Sequence, residues 1–452
     1  MSLTDNTHRR ERVNSRIVLW SLTSALAGFL FGFDTVVISG AEQKIQSLWS
    51  LSPGVHGMAM ASTLYGTVVG SLFGGWPTDR FGRKRTLLAI GVLYIISAIW
   101  STMALDVHSF ILARLLGGFG IGLSTVAAPL YISEISPPRY RGLLAGTFQF
   151  NIVFGIVVAY ISNSMLAGIG EHDWRWMLGV AALPSILYAL LCLLIPESPR
   201  WLLSKKHDRP AGLAVLRLIH PESSPKEIDG VANEIVAAAP SRGGQKRFWR
   251  KSLRTPILLA FLVAFFNQLS GINAVLYFAP RIFTMAGLSE HAALLQSVGI
   301  GVVLLIFTSI GLWLIDRLGR RMLLIVGSYG YIASLGLISW AFFTGQFYLI
   351  PLGLFSFIAA HAIGQGTVIW VLISEVFPTE HRAEGQALGS STHWVFAALI
   401  TSFFPLTASL VHPGYIFLFF TGMMVLQFIW VKSFVIETKG VPLEQMQQHL
   451  AR

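Results

Sequence analysis

The stretch Gly74-Gly75-Trp76-Pro77-Thr78-Asp79-Arg80-Phe81-Gly82-Arg83-Lys84-Arg85 returns half a chain later as Gly311-Leu312-Trp313-Leu314-Ile315-Asp316-Arg317-Leu318-Gly319-Arg320-Arg321. Each copy lies between two long apolar runs, and the two Asp residues stand 237 positions apart (316 − 79). Ile132-Ser133-Glu134, with Arg141 downstream, matches Ile373-Ser374-Glu375, with Arg382 downstream, at 241 positions. Glu197-Ser198 matches Glu437-Thr438 at 240. Three marks at nearly one offset mean two homologous halves inside a membrane.

Composition agrees with that reading. The chain is 54% hydrophobic and 12% charged, where a soluble domain carries about 25% charged residues. The deficit falls in twelve apolar blocks of bilayer-spanning length: 17–38, 57–78, 86–104, 109–133, 143–166, 176–195, 256–279, 292–315, 322–343, 348–374, 385–408 and 414–436. The expected fold is an all-α membrane protein, with twelve transmembrane helices in two six-helix bundles. Residues 1–195 form one bundle and 256–436 the other. A polar linker, 196–255, separates them, and 437–452 form a tail. Residues 210–219 and 226–239 have helical spacing, so short amphipathic helices are expected in the linker; a disordered linker is the competing reading.

The net charge of +11 invites a nucleic-acid reading, but its placement argues otherwise. Of 33 Lys and Arg residues, Lys44, Arg175 and Arg281 fall in one set of alternate loops and Arg114 in a span. The other 29 (33 − 3 − 1) lie toward the opposite side. Positive charge marks the cytoplasmic face, so both termini are expected inside a plasma or bacterial inner membrane. The first apolar run is too long for a signal peptide and carries Asp34. The single cysteine, Cys192, excludes an internal disulfide and a cysteine-built metal site.

These residues resemble the sugar porter family of the major facilitator superfamily over nearly the whole chain. The marks are the two Asp-Arg-x-Gly-Arg loops, Pro196-Glu197-Ser198-Pro199-Arg200-Trp201, Glu437-Thr438-Lys439-Gly440 (with Ile436 where the family usually has Pro), and Asn267-Gln268-Leu269-Ser270-Gly271-Ile272-Asn273 in the seventh span. The resemblance implies two bundles that rock around a central sugar site and open alternately to each side. It also implies a cytoplasmic gating network of Asp79, Arg80, Arg83, Glu134, Arg141 and Glu197 with Asp316, Arg317, Arg320, Glu375, Arg382 and Glu437. These charges are expected to pair across the halves when that side closes; topology alone is the plainer account of the basic residues, but it does not need the acids.

Asp34 and Arg114 are charges at membrane depth, which are costly unless paired or hydrated. Lying in the same half, they are natural partners. An Asp that alternates between a neighbouring cation and a desolvated setting can bind and release a proton once per cycle; a static buried pair is the alternative. The resemblance favours the first, because proton-symporting members carry an Asp and an Arg at these places. The expected activity is monosaccharide–proton symport, with a facilitative sugar uniporter or a proton-coupled polyol or inositol carrier as alternatives.

A sugar site needs side chains that both donate and accept, and flat rings to stack on. Gln149, Asn267, Gln268, Asn273, Trp370, His393 and Trp394 supply both within spans. The resemblance carries sugar binding onto Gln149, Gln268, Asn273 and Trp370, makes Phe31 and Trp394 cavity aromatics, and makes Tyr277 an outer gate. Gly364-Gln365-Gly366 reads as a break that bends the tenth span. The chain departs from the pattern at Asn267 (usually Gln), Leu304 and Ala397 (often Asn) and His393 (usually Gln or Asn). His393 has three readings: a sugar ligand, a packing histidine, or a station on the proton path. No metal spacing, nucleophile elbow or phosphate loop fits its context. An enzyme is therefore not expected, nor a cofactor. The expected partners are the sugar, a proton and the bilayer, around a monomer.

Overall fold

The computed structural model describes residues 14–137, 140–237 and 248–440. Among them there are helices and no strand. Eleven helices are long and apolar enough to cross a bilayer: Ser15–Leu48, Arg83–Met103, Val107–Ile135, Arg141–Leu166, Asp173–Leu194, Lys251–Met285, Glu290–Leu318, Arg320–Thr344, Phe347–Val376, Arg382–Leu410 and Pro413–Phe434. These are spans 1, 3–6 and 7–12. Pro53–Phe73 stands where the second span is expected and has 21 residues, but buries His56, Ser62, Thr63 and Thr67. Its polarity follows from its place. It is packed between spans 4 and 11, at the seam of the two halves, where protein replaces lipid.

Span 1 runs ten residues beyond the expected 38, to Leu48. The run looked shorter because Glu42, Gln43 and Lys44 interrupt its apolar character. In the first half span 1 packs on 5, span 2 on 4, and span 3 on 4 and 6. In the second, 7 packs on 11, 8 on 10, and 9 on 10 and 12. The halves meet through spans 2 and 11, 5 and 8, and 1 and 7. Close backbone approach makes this seam. A Cβ on Gly57 of span 2 would collide with the Ser402 carbonyl of span 11.

Two spans are broken. Gly271 sits at φ 85° and divides span 7 into Arg254–Leu269 and Ile272–Met285, a conformation open to Gly at little cost. Span 10 widens into a π-helical turn at Ala362–Gly366. There Gly364 lies so close to Gly327 of span 9 that an added Cβ would stand 2.9 Å from the Gly327 Cα. Such turns recur at functional sites. The linker forms helices Pro199–Ser204, Arg209–Ile219 and Pro225–Ala237. Leu203, Leu216, Ile228 and Ala232 give them a small core, and Asn14 Nδ2 ties them to the start of span 1 by donating to the Leu218 carbonyl at 2.9 Å. Residues 238 and 239 of the expected second helix, and 441–452 of the tail, lie outside the described residues.

Candidate functional site

The two basic motifs build the same structure twice. Gly82 and Gly319 take φ of 95° and 90°, each just before a span. Neither offers a capping side chain, and an acid from a distant loop caps instead. Glu197 accepts from the Arg83 and Lys84 amides at 2.8 and 3.1 Å; Glu437 accepts from Arg320 and Arg321 at 2.9 and 3.0 Å. A carboxylate at a helix N-terminus satisfies orphan donors and complements the helix dipole. Burial raises the Glu197 carboxyl above its ordinary value, while backbone donors and Arg83 pull it down. A Cβ on either glycine would strike the capping carboxylate.

Arg83 holds Glu134 through Nε and Nη2 at 2.9 and 2.8 Å and Asp79 at 3.3 Å. Arg320 holds Glu375 at 3.0 and 2.8 Å and Asp316 at 3.2 Å. Arg80 lies over Trp76 and Arg317 over Trp313. The bonds of Glu134, Glu197, Glu375 and Glu437 stay within their own halves. None of these four acids bonds across the halves among the described residues. Arg141, expected among the partners, opens span 5 without a hydrogen bond to this set; Arg382 opens span 11 at the matching place.

In the middle of the first half, Arg114 Nη1 donates to Asp34 Oδ1 at 2.6 Å and Nη2 to the Asp34 carbonyl at 3.0 Å. Both residues are buried. Asp34 Oδ2 is buried with no hydrogen-bond partner. Three residues earlier, one helical turn away on the same face, Phe31 meets Trp394 of the other half at 5.4 Å between ring centroids. From there the contacts are continuous. His393 lies 4.6 Å from Trp394 and 5.1 Å from Trp370. Gln268 Nε2 is 3.1 Å from the His393 ring nitrogens and donates to Asn267 Oδ1 at 2.9 Å. Asn273 Nδ2 donates to Gln268 Oε1 at 2.6 Å.

The Gly271 break explains the last bond. Five residues apart on an unbroken helix, Gln268 and Asn273 would be offset by about 140°. Seven of the eight expected sugar-site residues thus form one chain of contacts drawn from spans 1, 7, 10 and 11. Gln149 does not join it. It is half-buried on span 5 and makes no hydrogen bond in the described structure.

The face opposite the basic motifs holds contacts that sequence reasoning missed. Arg281 of span 7 donates to Glu42 of span 1 through Nε at 2.9 Å and Nη2 at 2.6 Å, and His56 Nε2 is 2.8 Å from Glu42. Lys44 bridges Asp173 at 2.6 Å and Glu290 at 3.2 Å. Tyr65 and Ser402 share a hydrogen bond of 2.9 Å. Tyr160 of span 5 donates to the Leu276 carbonyl of span 7 at 2.7 Å. That carbonyl is the one Pro280 cannot serve, because proline has no N–H for the residue four back. Lys44 and Arg281 were expected in loops; both lie inside helices. The available signal was Pro280 and two charges, Glu42 and Arg281, beside apolar runs. Tyr277, next to this region, is 1% exposed and its hydroxyl has no partner. The halves are bonded here, whereas the four acids of the basic face bond only within their own halves.

Comparison with known proteins fits this geometry. Residues 20–450 match the family model described as "Sugar (and other) transporter". The arabinose-proton symporter of Bacillus subtilis is 34% identical, with 96% of this chain and 94% of that one covered. The D-xylose-proton symporter of Escherichia coli is 30% identical, with 96% of each covered. Among solved structures, the inward open conformation of the xylose transporter XylE from E. coli superimposes with a TM-score of 0.84 at 29% identity, over 95% of this chain and 98% of that one. The same symporter bound to 6-bromo-6-deoxy-D-glucose gives 0.78 at 30% identity, over 96% and 99%.

Proposed function

The chain belongs to the sugar transporter family, and on that premise we propose that it carries a monosaccharide, a pentose or hexose, across the membrane together with a proton. One observation carries the reading. A buried carboxylate has one oxygen on Arg114 and the other unpartnered, one turn from an aromatic that touches the amide and tryptophan cluster.

With the basic face inside, as the charge distribution supports, the described state is closed to the outside. In it, Asp34 has released its proton to the inner side and is held by Arg114. When the outer side opens, Asp34 takes a proton, the ion pair weakens, and the two halves are free to close around sugar. Gln268, Asn273, Asn267, His393 and, from the other half, Gln149 bind hydroxyls; Trp370, Trp394 and Phe31 bind ring faces. Closure on the inside brings the two Asp-Arg motifs together with Glu134, Arg141, Glu375 and Arg382 across the halves. Glu197 and Glu437 hold the motif glycines in place. Tyr277 and the Gly364–Gly366 turn move with the outer and inner halves of their spans. The protein works in the plasma membrane as a monomer, with its termini inside and no catalytic step.

The test is uptake of labelled pentoses, hexoses and polyols into proteoliposomes, with and without an inward proton gradient. Wild type is expected to accumulate one class against its gradient. Asp34→Asn is expected to lose accumulation and keep exchange. Accumulation that survives in Asp34→Asn would sink the symport reading.

A further inference from the structure

We propose that the outer face carries a second proton-binding site, built from Glu42 and His56, at which a proton and Arg281 compete for one buried carboxylate. Glu42 and His56 belong to the first half, and the side chains of both are 0% exposed. Arg281 belongs to the second half, is 19% exposed, and lines a surface hollow of about 540 Å³ with Gln43, Gln46, Ser47, Thr284 and Met285. Arg281 also donates to Gln46 Oε1. His56 Nδ1 is buried and has no hydrogen-bond partner. Of the charged groups in the described structure, Glu42 and Arg281 are those in contact with His56; the Phe278 ring of span 7 faces it edge-on. Lys44, Asp173 and Glu290 form a separate set at the same end.

A buried carboxylate needs a cation or a proton beside it. In the closed state Arg281 is that cation, donating two hydrogen bonds. Opening the outer face carries span 7 away and takes Arg281 with it, while Glu42 keeps His56. His56 is then the neighbour able to become a cation, by binding one proton from the outside solution through the vacated hollow. Closing returns Arg281 and expels that proton to the same side. Acid outside therefore favours the outward-open state, in which sugar loads. The inference rests on the orientation proposed above but not on Asp34, because the exchange occurs wholly at the outer rim.

The experiment measures distances between spin labels on the outer ends of the two halves, in proteoliposomes, in an Asp34→Asn background that removes the central carboxylate. Lowering the outside pH from about 8 to about 5.5, across the ordinary histidine range, is expected to raise the open-to-closed ratio about five-fold or more. Asp34→Asn/His56→Gln is expected to be flat over that range, and so is the corresponding His56→Asn variant, which guards against a folding defect in either. Asp34→Asn/Arg281→Gln is expected to stand open at both pH values. A flat response in Asp34→Asn alone, or an undiminished one in both His56 variants, overturns the proposal. Accumulation in Asp34→Asn judges the symport reading separately.

Discussion

The two halves are alike at the basic face and unlike at mid-membrane. Arg83, Glu134 and Glu197 repeat as Arg320, Glu375 and Glu437, with bond lengths agreeing within about 0.2 Å. The same offset of about 240 carries Asp34 to position 274, an alanine, and Arg114 to 354, a leucine. The first half keeps the buried charge and the second keeps the amides, His393 and the tryptophans. Duplication explains the shared part, since each half must cap the same helix ends. On the function proposed above, the rest is a division of labour: the first half's buried pair serves the proton, the second half's cluster supplies most of the sugar contacts, and Phe31 against Trp394 joins them.

The comparison breaks most readily at the charge. Arg114→Leu leaves Asp34 buried without its cation, a loss of about 3–5 kcal/mol. Leu354→Ala, at the matching place, only removes apolar volume. A thermal melt in detergent should fall further for Arg114→Leu than for Leu354→Ala, and accumulation should be abolished only in the former. Equal behaviour would mean that the halves are not divided in this way.

The shared part is sharpened by matched glycine variants. Gly82→Ala and Gly319→Ala each put a side chain at positive φ, at about 1–3 kcal/mol, and push on Glu197 and Glu437. Melting temperatures should drop by similar amounts. A drop confined to one half would mean that the two caps do different work.

A smaller effect tests the sugar half. Gln268→Ala strips partners from Asn267, Asn273 and His393, and unpaired buried polar groups cost about 1–3 kcal/mol. Sugar affinity in equilibrium binding should fall by roughly ten- to hundred-fold at about 1.4 kcal/mol per decade. Gln149→Ala disturbs no existing network and should lose less. A greater loss at Gln149 would move the main contacts to the first half. The smallest change is Tyr160→Phe. It deprives the Leu276 carbonyl of its donor across the halves, at about 0.5–1.5 kcal/mol, and should shift spin-label distances toward the outward-open state. No shift would make that bond incidental to closure.

Much was legible in the chain. The motifs placed Glu197 and Glu437 near the loops they cap, and Gly364-Gln365-Gly366 marked the turn in span 10. Asp34 and Arg114 stood out because charge at membrane depth is rare. The second span, expected at 57–78, is less apolar than the other eleven because its polar residues face the seam instead of lipid. Arg281, His56 and Tyr160 gave no local sign of acting together, since their partners lie on other spans and Glu42–Arg281 joins residues 239 positions apart.

The sequence by itself determined twelve spans in two related halves, the paired charged motifs at the helix ends, and which polar and charged side chains lie within the spans. Those follow from run length, helical period and the cost of charge in lipid, all of which act within a few turns of chain. Only the tertiary structure decided that the halves are bonded away from the basic face, that Arg83 rather than Arg141 holds Glu134, and that Glu42 is shared between His56 and Arg281. These depend on how two rigid bundles sit against each other, and a carrier that opens to alternate sides must leave that placement nearly balanced in energy.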